Sequence, residues 1–457
     1  MNNYVKLSDI CKISGRVGWK GYTVNDLRTE GPWVIGANDI TDDNILDLTE
    51  AKHISREKFE ESPEIKIELN DILIVKVGST IGKIAIVDRE IGEACINPNT
   101  VLLKNCKIDP YYLYCYLISS AGQQYIKNHS SASAQPALNQ TDLKEMPIRL
   151  VDIDVQNKVS HQLKIFNKKI AINNKINREL EALAKTIYDY WFVQFDFPNN
   201  NGKPYKSSRG KMVYNKELKR EIPEGWEDST ISDWIENDKN GDWGKEQEEG
   251  NYTEKVSCIR GADINGLNGN GEVKSPTRYI LEKNTHKILE AGDLIVEISG
   301  GSPTQSTGRL AFITEETLDR FENPLICSNF CKAVTLKDET YLYNFVYNWN
   351  RLYNAGVLFG WEGKTSGIKN LLFENFITSY KVVKPPIEII EQFYNKVKVL
   401  HQKKQKNLLE NQKLAVLRDW LLPMLMNGQV RVGDEILKQA QDDKVGMVAE
   451  EGNKYKS

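Results

Sequence analysis

The sequence has no long apolar run. Its longest runs, such as Ile72-Leu73-Ile74-Val75, are far shorter than the roughly 18 residues that span a bilayer. The first residues also lack the apolar stretch of a secretory signal. We therefore expect a soluble chain with no membrane segment.

Patterns for disulfides and metal sites are also missing. The seven cysteines are odd in number and form no Cys-x-x-Cys pair, and the five histidines have no metal-ligand spacing. Cys327 and Cys331 lack a second pair of ligands. We therefore predict buried free thiols, a cytoplasmic location, no metal and no cofactor.

Catalytic motifs are absent as well. The turn from Gly78 to Gly82 has three residues between its glycines, where a phosphate-binding P-loop has four, and Ile84 follows Lys83 in place of Ser or Thr. The Asn/Asp-Pro-Pro-aromatic run expected of an adenine methyltransferase does not occur. The nuclease-like carboxylate spacing at 47–52 arises by chance in a chain with 27% charged residues. We predict that the chain itself is not an enzyme.

The chain also lacks an excess of positive charge, since its net charge is −3. Residues 1–150 carry 17 Lys+Arg against 20 Asp+Glu, and residues 226–384 carry 17 against 24. The positive excess lies in residues 198–225, with 7 against 3, and in residues 385–433, with 8 against 4. A simple basic-patch argument for DNA binding therefore fails, and such a function must depend on architecture and local loops.

An internal repeat is present and divides the chain. A length of 457 residues allows at least two cores, because single cores stop growing near roughly 250–300 residues. Short matches recur in the same order at offsets between 222 and 232, which chance does not produce. They pair Leu7-Ser8-Asp9-Ile10 with Ile231-Ser232-Asp233-Trp234, Asp39-Ile40 with Asp263-Ile264, 70–74 with 292–296, Cys95-Ile96-Asn97 with Cys327-Ser328-Asn329, Tyr112-Leu113-Tyr114 with Tyr341-Leu342-Tyr343, Asn139 with Asn370, and Leu183-Ala184 with Leu414-Ala415.

Both copies predict the same elements. Each has short strands joined by Gly, Ser and Thr turns, at 72–77 and 83–87 in the first copy and at 293–298 and 309–313 in the second. A helix rich in Tyr and Leu follows in each. The second copy has about ten extra residues between Asp293 and Asn329, which predicts a loop insertion.

The last part of each copy has a helical period. Seam residues step by four and three without a break, which is typical of a coiled coil, and a helix from Val159 to Trp191 would be roughly 50 Å long. The seams are Val159, Leu163, Phe166, Ile170, Asn173, Asn177, Leu180, Ala184, Ile187 and Trp191, and Ile390, Phe393, Val397, Leu400, Lys404, Asn407, Asn411, Leu414, Arg418, Leu421 and Leu425.

Both seams are polar at their middles. Buried asparagine in a seam fixes register and partner at a cost in stability. We therefore expect the two helices to pair with each other, antiparallel, with the asparagines near mid-length. In the alternative, each polar stretch faces solvent on a bundle helix.

Motifs at the helix ends resemble a known family. Residues 191–198, 202–208 and 221–226 resemble the central region of type I restriction specificity subunits, and so do residues 421–430, which read Leu-Leu-Pro-Met-Leu-Met-Asn-Gly-Gln-Val. The Gly-Asp-(Ile/Leu)-(Leu/Ile) strand start, the Gly78-Ser79-Thr80 turn and the Gln-Pro-Ala-Leu-Asn run at 135–139 are similar to the same family. The resemblance covers residues 1–433. The second copy departs from it at 364–370, which differs from 133–139 of the first.

The resemblance implies a fold, a function and partners. The implied fold is mixed α/β, with two duplicated target recognition domains of pseudo-two-fold symmetry separated by two long antiparallel coiled-coil helices. The implied function is recognition of double-stranded DNA at a split, asymmetric site, with one domain for each half. Two methyltransferase subunits would grip the helices and domains, and translocating restriction subunits would complete the complex.

We accordingly expect six segments. They are recognition domain 1 (1–150), a first spacer helix region (151–197), a basic central linker (198–225), recognition domain 2 (226–384), a second spacer helix region (385–428) and a partly disordered tail (429–457).

Candidate DNA-binding residues are polar side chains of the loops, which can contact a base edge or a phosphate. For each of them, the alternative is an ordinary turn residue. They are Lys76, Ser79, Thr80, Lys83, Ser133, Gln135 and Asn139 in the first domain, and Ser299, Ser302, Thr304, Gln305, Arg309, Lys364, Thr365 and Lys369 in the second. The apolar helix ends are candidates for methyltransferase docking, with core packing as the alternative: Trp191, Phe192, Trp420, Leu421, Pro423 and Met424.

Two other functions fit the same sequence. One is the specificity subunit of a single-complex restriction enzyme that cuts beside its site. The other is a coiled-coil scaffold with two protein-binding domains, which accommodates the acidic domains better.

Overall fold

Two separate units make up the chain in the computed structural model, which describes residues 4–15, 21–41, 44–131, 136–271, 273–300, 304–365 and 367–426. The first unit is Met1–Lys168 with Leu414–Ser457, and the second is Lys169–Lys413. Across these described ranges, each helix is too short or too polar to cross a membrane.

Short strands and helices alternate in the first unit. Its strands are β1 (Tyr4–Lys6), β2 (Lys12–Ser14), β3 (Leu27–Ile35), β4 (Lys52–Ile54), β5 (Ile72–Val75), β6 (Ile84–Ile86), β7 (Ala94–Ile96), β8 (Thr100–Lys104) and β9 (Pro147–Arg149). Its helices are α1 (Leu7–Ile10), α2 (Arg56–Glu60), α3 (Pro110–Ile118), α4 (Ser120–His129), α5 (Gln140–Lys144) and the first part of α6 (Ile153–Tyr188).

Strand β5 lies at the centre of the first unit. It pairs antiparallel with β8 and β6 in a sheet of order β2-β8-β5-β6. A second sheet has the order β4-β3-β7, in which β3 and β7 are parallel. Successive side chains of a strand point to opposite faces, so Ile72 and Ile74 join one core cluster and Leu73 and Val75 join another. Both faces of β5 are therefore buried.

The second unit has further strands and helices. Its strands are β10 (Met212–Asn215), β11 (Arg220–Pro223), β12 (Glu227–Thr230), β13 (Ile235–Asn240), β14 (Tyr252–Ile259), β15 (Thr277–Leu281), β16 (Leu294–Glu297), β17 (Ser299–Gly300), β18 (Leu310–Phe312), β19 (Leu325–Cys327), β20 (Cys331–Leu336), β21 (Glu362–Thr365), β22 (Ile368–Leu371) and β23 (Lys381–Lys384). Its helices are α7 (Ile264–Leu267), α8 (Glu315–Leu318), α9 (Leu342–Asn354), α10 (Phe373–Ser379), the last part of α6 and the first part of α11 (Ile387–Met426).

The second unit has sheets of the same kind as the first. Strand β16 lies centrally in a sheet of order β13-β20-β16-β18, and a second sheet has the order β15-β14-β19, with β14 and β19 parallel. Leu294 and Val296 join one core cluster and Ile295 joins another. The four strands predicted from the turns are each two residues shorter than expected, since they cover Ile72–Val75, Ile84–Ile86, Leu294–Glu297 and Leu310–Phe312.

Strand register corrects one of the repeat pairings. Ile96 of β7 lies opposite Ile35, and Cys327 of β19 lies opposite Ile259, so Ile96 corresponds to Cys327. The amides that follow agree, because Asn97 N donates to the Ile35 carbonyl and Ser328 N donates to the Ile259 carbonyl, both at 2.8 Å. The pairing of Asn97 with Asn329 was therefore wrong by one residue. The sequence alignment had paired identical side chains, Cys with Cys and Asn with Asn, whereas the equivalent backbone positions lie one residue earlier in the second copy.

The polar seam residues of α6 and α11 within the second unit are buried and bonded to each other. Asn173 Nδ2 donates to Glu410 at 2.7 Å and to Asn411 at 2.9 Å, and Asn407 Nδ2 donates to Asn177 Oδ1 at 2.8 Å. The numbers rise along one helix as they fall along the other, so the two helices run antiparallel here. The alternative in which these asparagines face solvent does not describe Asn173 and Asn177.

Within the first unit, the two helices meet through apolar side chains. Val159, Leu163 and Phe166 of α6 belong to the same buried cluster as Leu421 and Leu425 of α11. The expected linker 198–225 is folded, since it contains the β10–β11 hairpin and buries Ile222 in the core of the second unit.

A buried histidine lies beside this seam in the second unit. His401 is 2% exposed and stacks on Tyr343 with ring centroids 4.8 Å apart. The Tyr347 hydroxyl donates to Glu181 at 2.9 Å, so His401 Nε2, 3.0 Å from that oxygen, is the donor to it. Nδ1 then makes no hydrogen bond to a described atom. Because protonation would bury a second N–H without a partner, burial lowers the pKa of His401 to about 4.

We predict that Asn177→Ala lowers the free energy of unfolding by about 1–3 kcal/mol, because the Asn407 amide loses its acceptor in a buried place. The double variant Asn177→Leu with Asn407→Leu should be as stable as the wild type or more so, since no polar group is then left unpaired. Urea unfolding measures both, with the exposed Lys175→Ala as a control expected within about 0.5 kcal/mol of the wild type. A double variant less stable than the single one would contradict this account.

A second prediction concerns acid stability. The ordinary pKa of histidine is about 6.5, so between pH 6.5 and 4 the unfolded chain binds a proton at His401 that the folded chain does not. The contribution of neutral His401 to the free energy of unfolding is fully present above pH 6.5. It decreases by up to about 3 kcal/mol as the pH falls to 4. The variant His401→Gln should show a flatter dependence over this interval in urea unfolding, whereas the exposed His161→Gln should keep the wild-type slope. Identical slopes for His401→Gln and the wild type would refute the assignment.

Candidate nucleic-acid interface

In the first unit, the loop between β5 and β6 covers residues 76–83 and is held by a second segment. Gly78 N donates to the Pro136 carbonyl at 3.0 Å, and Leu138 N donates to the Lys76 carbonyl at 2.8 Å. Gly78 has a φ of +105°, a conformation that glycine adopts without strain. The structure therefore brings together residues 76–83 and 136–139, which the sequence had offered as separate candidates.

The candidate side chains of this loop differ in exposure and in their internal hydrogen bonds. Ser79 and Asn139 are exposed, and Thr80 is half-buried. Lys83 donates to the Ile40 carbonyl at 3.1 Å, and burial lowers the pKa of Lys76. Ser133 and Gln135 lie outside the described residues. Ser79 and Asn139 are thus the candidates best placed to meet an external partner.

In the second unit, the corresponding loop lies between β16 and β18 and covers residues 298–309. Its start forms β17, which pairs with β22, and β22 forms a hairpin with β21. Ser299 Oγ donates to Asn370 Oδ1 at 2.6 Å. Lys364 and Thr365 lie on β21 opposite Lys369 and Ile368 of β22, so their backbone is separated from β17 by one strand.

Thr304 and Gln305 are exposed near the middle of this loop. Ser302 lies outside the described residues, and so do the side chains of Lys364 and Thr365. Thr304 and Gln305 are therefore the described candidates of the second unit that are most open to a partner.

Two cations of the second loop have internal partners. Arg309 donates through Nε and Nη2 to the two carboxylate oxygens of Glu297, at 2.8 and 2.7 Å, and this hydrogen bonding raises the pKa of Arg309. Lys369 lies 3.3 Å from the Glu362 carboxylate and 5.2 Å from the ring centroid of Phe359. Both pairs are largely buried. Either cation would have to leave its carboxylate to bind DNA.

Two neighbours of these loops were missed from the sequence. The carbonyl of Asn99 accepts from Lys76 N, and the carbonyl of Phe330 accepts from Ile298 N and Ser299 N. Both residues are exposed in the turn before the strand that pairs with β5 or β16. Phe330 could have been noticed in the sequence as an aromatic residue within a polar turn.

The candidate docking residues lie mostly in cores. Trp191 and Phe192 belong to the buried cluster of the second unit, and Leu421 belongs to that of the first. Pro423 and Met424 are half-buried, whereas Trp420 is 38% exposed. Core packing therefore describes Trp191, Phe192 and Leu421, and Trp420 stays a candidate for docking.

Ligands for a metal do not gather in the described part of the chain. No group of three or more His, Cys, Asp and Glu side chains that could hold an ion occurs there. The seven cysteines are free thiols, and most are buried.

Comparison with known proteins shows what the chain is similar to. Residues 2–182 match the family model of the type I restriction modification DNA specificity domain. The chain is 23% identical over 445 residues to the type I restriction enzyme MjaIX specificity subunit of Methanocaldococcus jannaschii, covering 93% of each. It is 22% identical over 407 residues to the HindI specificity subunit of Haemophilus influenzae, covering 80% of this chain and 87% of that one.

The fold agrees with that class. A crystal structure of the type I restriction-modification S subunit from M. genitalium aligns with a TM-score of 0.53 at 16% identity, covering 92% of this chain and 95% of that one. Residues 2–182 therefore match the DNA specificity domain. The chain as a whole is similar in sequence to specificity subunits of type I restriction enzymes and shares the fold of a solved one.

The Arg309 contact generates a prediction. Arg309→Ala should lower the free energy of unfolding by about 3 kcal/mol, because it leaves the buried Glu297 carboxylate without its partner. Arg309→Lys should recover only part of this loss, since lysine cannot form the bidentate pair. The double variant Arg309→Met with Glu297→Gln should recover most of it, since no uncompensated charge then stays buried. If Arg309→Ala unfolded at the same urea concentration as the wild type and changed the DNA specificity, this account would be contradicted. Arg309 would then be a candidate for base contact again.

Proposed function

We propose that this chain reads a split, asymmetric DNA site, with one recognition domain for each half, and holds the methyltransferase and restriction subunits on the helices. In this proposal residues 1–150 and 226–384 are duplicated recognition domains, 151–197 and 385–428 are the antiparallel coiled-coil spacers, and 198–225 connects the two halves. The partner DNA is a duplex with a bipartite sequence, and the location is the cytoplasm.

The observation that carries the proposal is the repeated position of two unlike loops. Residues 76–83 and 298–309 each join the central strand of a four-stranded sheet to its edge strand, in sheets of the same strand order. The loops differ in length and in their exposed side chains. DNA sequence is read by side chains at base edges, whereas phosphate contacts only position a protein. A shared scaffold with different loops is what two different half-sites require.

Matching buried carboxylates support the duplication. Asp39 accepts from Gly36 N at 2.7 Å, and Asp263 accepts from Arg260 N at 3.0 Å, each three residues upstream. Likewise Asp71 accepts from Glu68 N at 2.8 Å, and Asp293 accepts from Glu290 N at 2.9 Å. Such local details of turn chemistry are expected of two copies of one domain.

The helices support the spacing and scaffolding roles. A helix of 36 residues, the length of α6, measures roughly 54 Å at 1.5 Å per residue, longer than the roughly 34–36 Å of one DNA turn. Within the second unit, α6 also carries exposed apolar residues on one face, namely Ile172, Ile176 and Leu183, and exposed Tyr190 follows just after its end. A stripe of this kind on a helix is suited to packing against a further helix.

The proposal predicts that each half-site responds to its own loop. Thr304→Ala with Gln305→Ala should relax only one half of the target, and Ser79→Ala with Asn139→Ala only the other, because a good base contact discriminates by about 1–3 kcal/mol. The readout is the methylated-adenine motif in DNA sequenced from cells that carry each variant. Lys175→Ala, on an exposed face of α6, is the control and should leave the motif unchanged. Relaxation of both halves by one pair of substitutions, with normal complex assembly, would overturn the independent-reader model.

A further inference from the structure

The loop at residues 298–309 begins with hydrogen bonds to the backbone of an exposed aromatic residue, Phe330. Phe330 occupies the turn between β19 and β20, and its carbonyl accepts from Ile298 N at 2.9 Å and from Ser299 N at 3.1 Å. The side chain is 48% exposed. Its ring makes no aromatic or cation contact with any side chain in the described ranges. About half of the side-chain surface is therefore open to solvent at the edge of the loop.

The same backbone position in the first unit is Asn99. Val75 lies opposite Thr100 and Glu297 lies opposite Cys331, so the residues before these two partners correspond. The Asn99 carbonyl accepts from Lys76 N at 2.8 Å, as the Phe330 carbonyl does from Ile298 N. The Asn99 side chain is exposed and forms no hydrogen bond with the described residues. One turn position thus borders both loops and has different chemistry in the two units.

Turn chemistry accounts for neither side chain. Asparagine is favoured in turns because its side chain can bond to the nearby backbone, but the Asn99 side chain forms no such bond with the described residues. A phenylalanine ring contributes nothing to such a turn and exposes apolar surface to water. In the proposed function its place beside a loop that faces DNA supplies a reason, because the 5-methyl group of thymine is the apolar feature of the major groove.

We propose that Phe330 reads thymine through its 5-methyl group and that Asn99 reads adenine through N6 and N7. Both are specificity-determining residues of the turn, additional to the loops themselves. This inference rests on the proposed function. An apolar contact suits thymine, and a bidentate amide suits adenine.

The test replaces single functional groups of the DNA bases. The whole complex, purified with its methyltransferase subunits, is titrated with duplexes carrying its methylation motif, in which each dT of one half-site in turn is dU and lacks only the methyl group. One replacement should weaken wild-type binding about fourfold, the effect expected for one buried methyl group. The Phe330→Ala complex should be insensitive to that replacement, and Phe330→Leu should keep part of the sensitivity.

A parallel series uses 7-deaza-adenine in the other half-site, which removes the N7 acceptor. One position should weaken wild-type binding by about tenfold or less and should not affect the Asn99→Ala complex. The control is Tyr214→Ala, an aromatic side chain 64% exposed on β10, which should respond to every replacement as the wild type does. Circular dichroism of each variant shows that the fold is retained.

The outcomes separate the two levels of the proposal. Specific wild-type binding with a dU sensitivity that persists in Phe330→Ala would overturn the inference and leave the proposed function intact. Specific binding with no dU-sensitive position would do the same. An absence of any specific binding by the wild-type complex would overturn the proposed function and this inference with it.

Discussion

The burial of both faces of a central strand is the constraint on which each of the two units depends. Strand β5 places alternate side chains in two different cores, and β16 does the same. A shift of one residue would exchange the two faces of the strand, so neither strand can slip without disturbing both cores. The loops that follow these strands therefore start from a fixed point. Their side chains can change without loss of the scaffold.

Internal bonding limits which loop residues can read DNA. Lys83, Arg309 and Lys369 each have a partner within their own unit, two of them a carboxylate. Exposed Ser79, Thr304 and uncharged turn residues are left to face outward. This agrees with the acidic composition of both domains, because uncharged groups supply base recognition but little attraction to phosphate. In the proposed function, much of that attraction would come from the assembled complex.

The helix seam favours specificity over stability. Apolar residues at Asn173, Asn177 and Asn407 would pack with less desolvation, yet the structure buries amides there and bonds them across the pair. A register shifted by one turn would leave these amides unpaired, which costs more than a shift between apolar side chains. The ion pair of Lys404 with Glu181, 2.7 Å apart, continues the same pattern. In the proposed function, this fixed register would keep the distance between the two half-site readers constant.

Much of this architecture could be predicted from the sequence. The seam positions of the long helices, the strands on either side of each loop and the family motifs are local patterns, because hydrophobic period and turn residues act over a few neighbours. Contacts between distant segments could not be predicted in the same way. Gly78 meets Pro136, Arg309 meets Glu297, and Phe330 borders the start of its loop only because strands far apart in sequence pair side by side. The sequence by itself thus determined the repeat, the helices and the resemblance to type I specificity subunits. The tertiary structure decided which candidate side chains are exposed, since exposure depends on partners that no local pattern specifies.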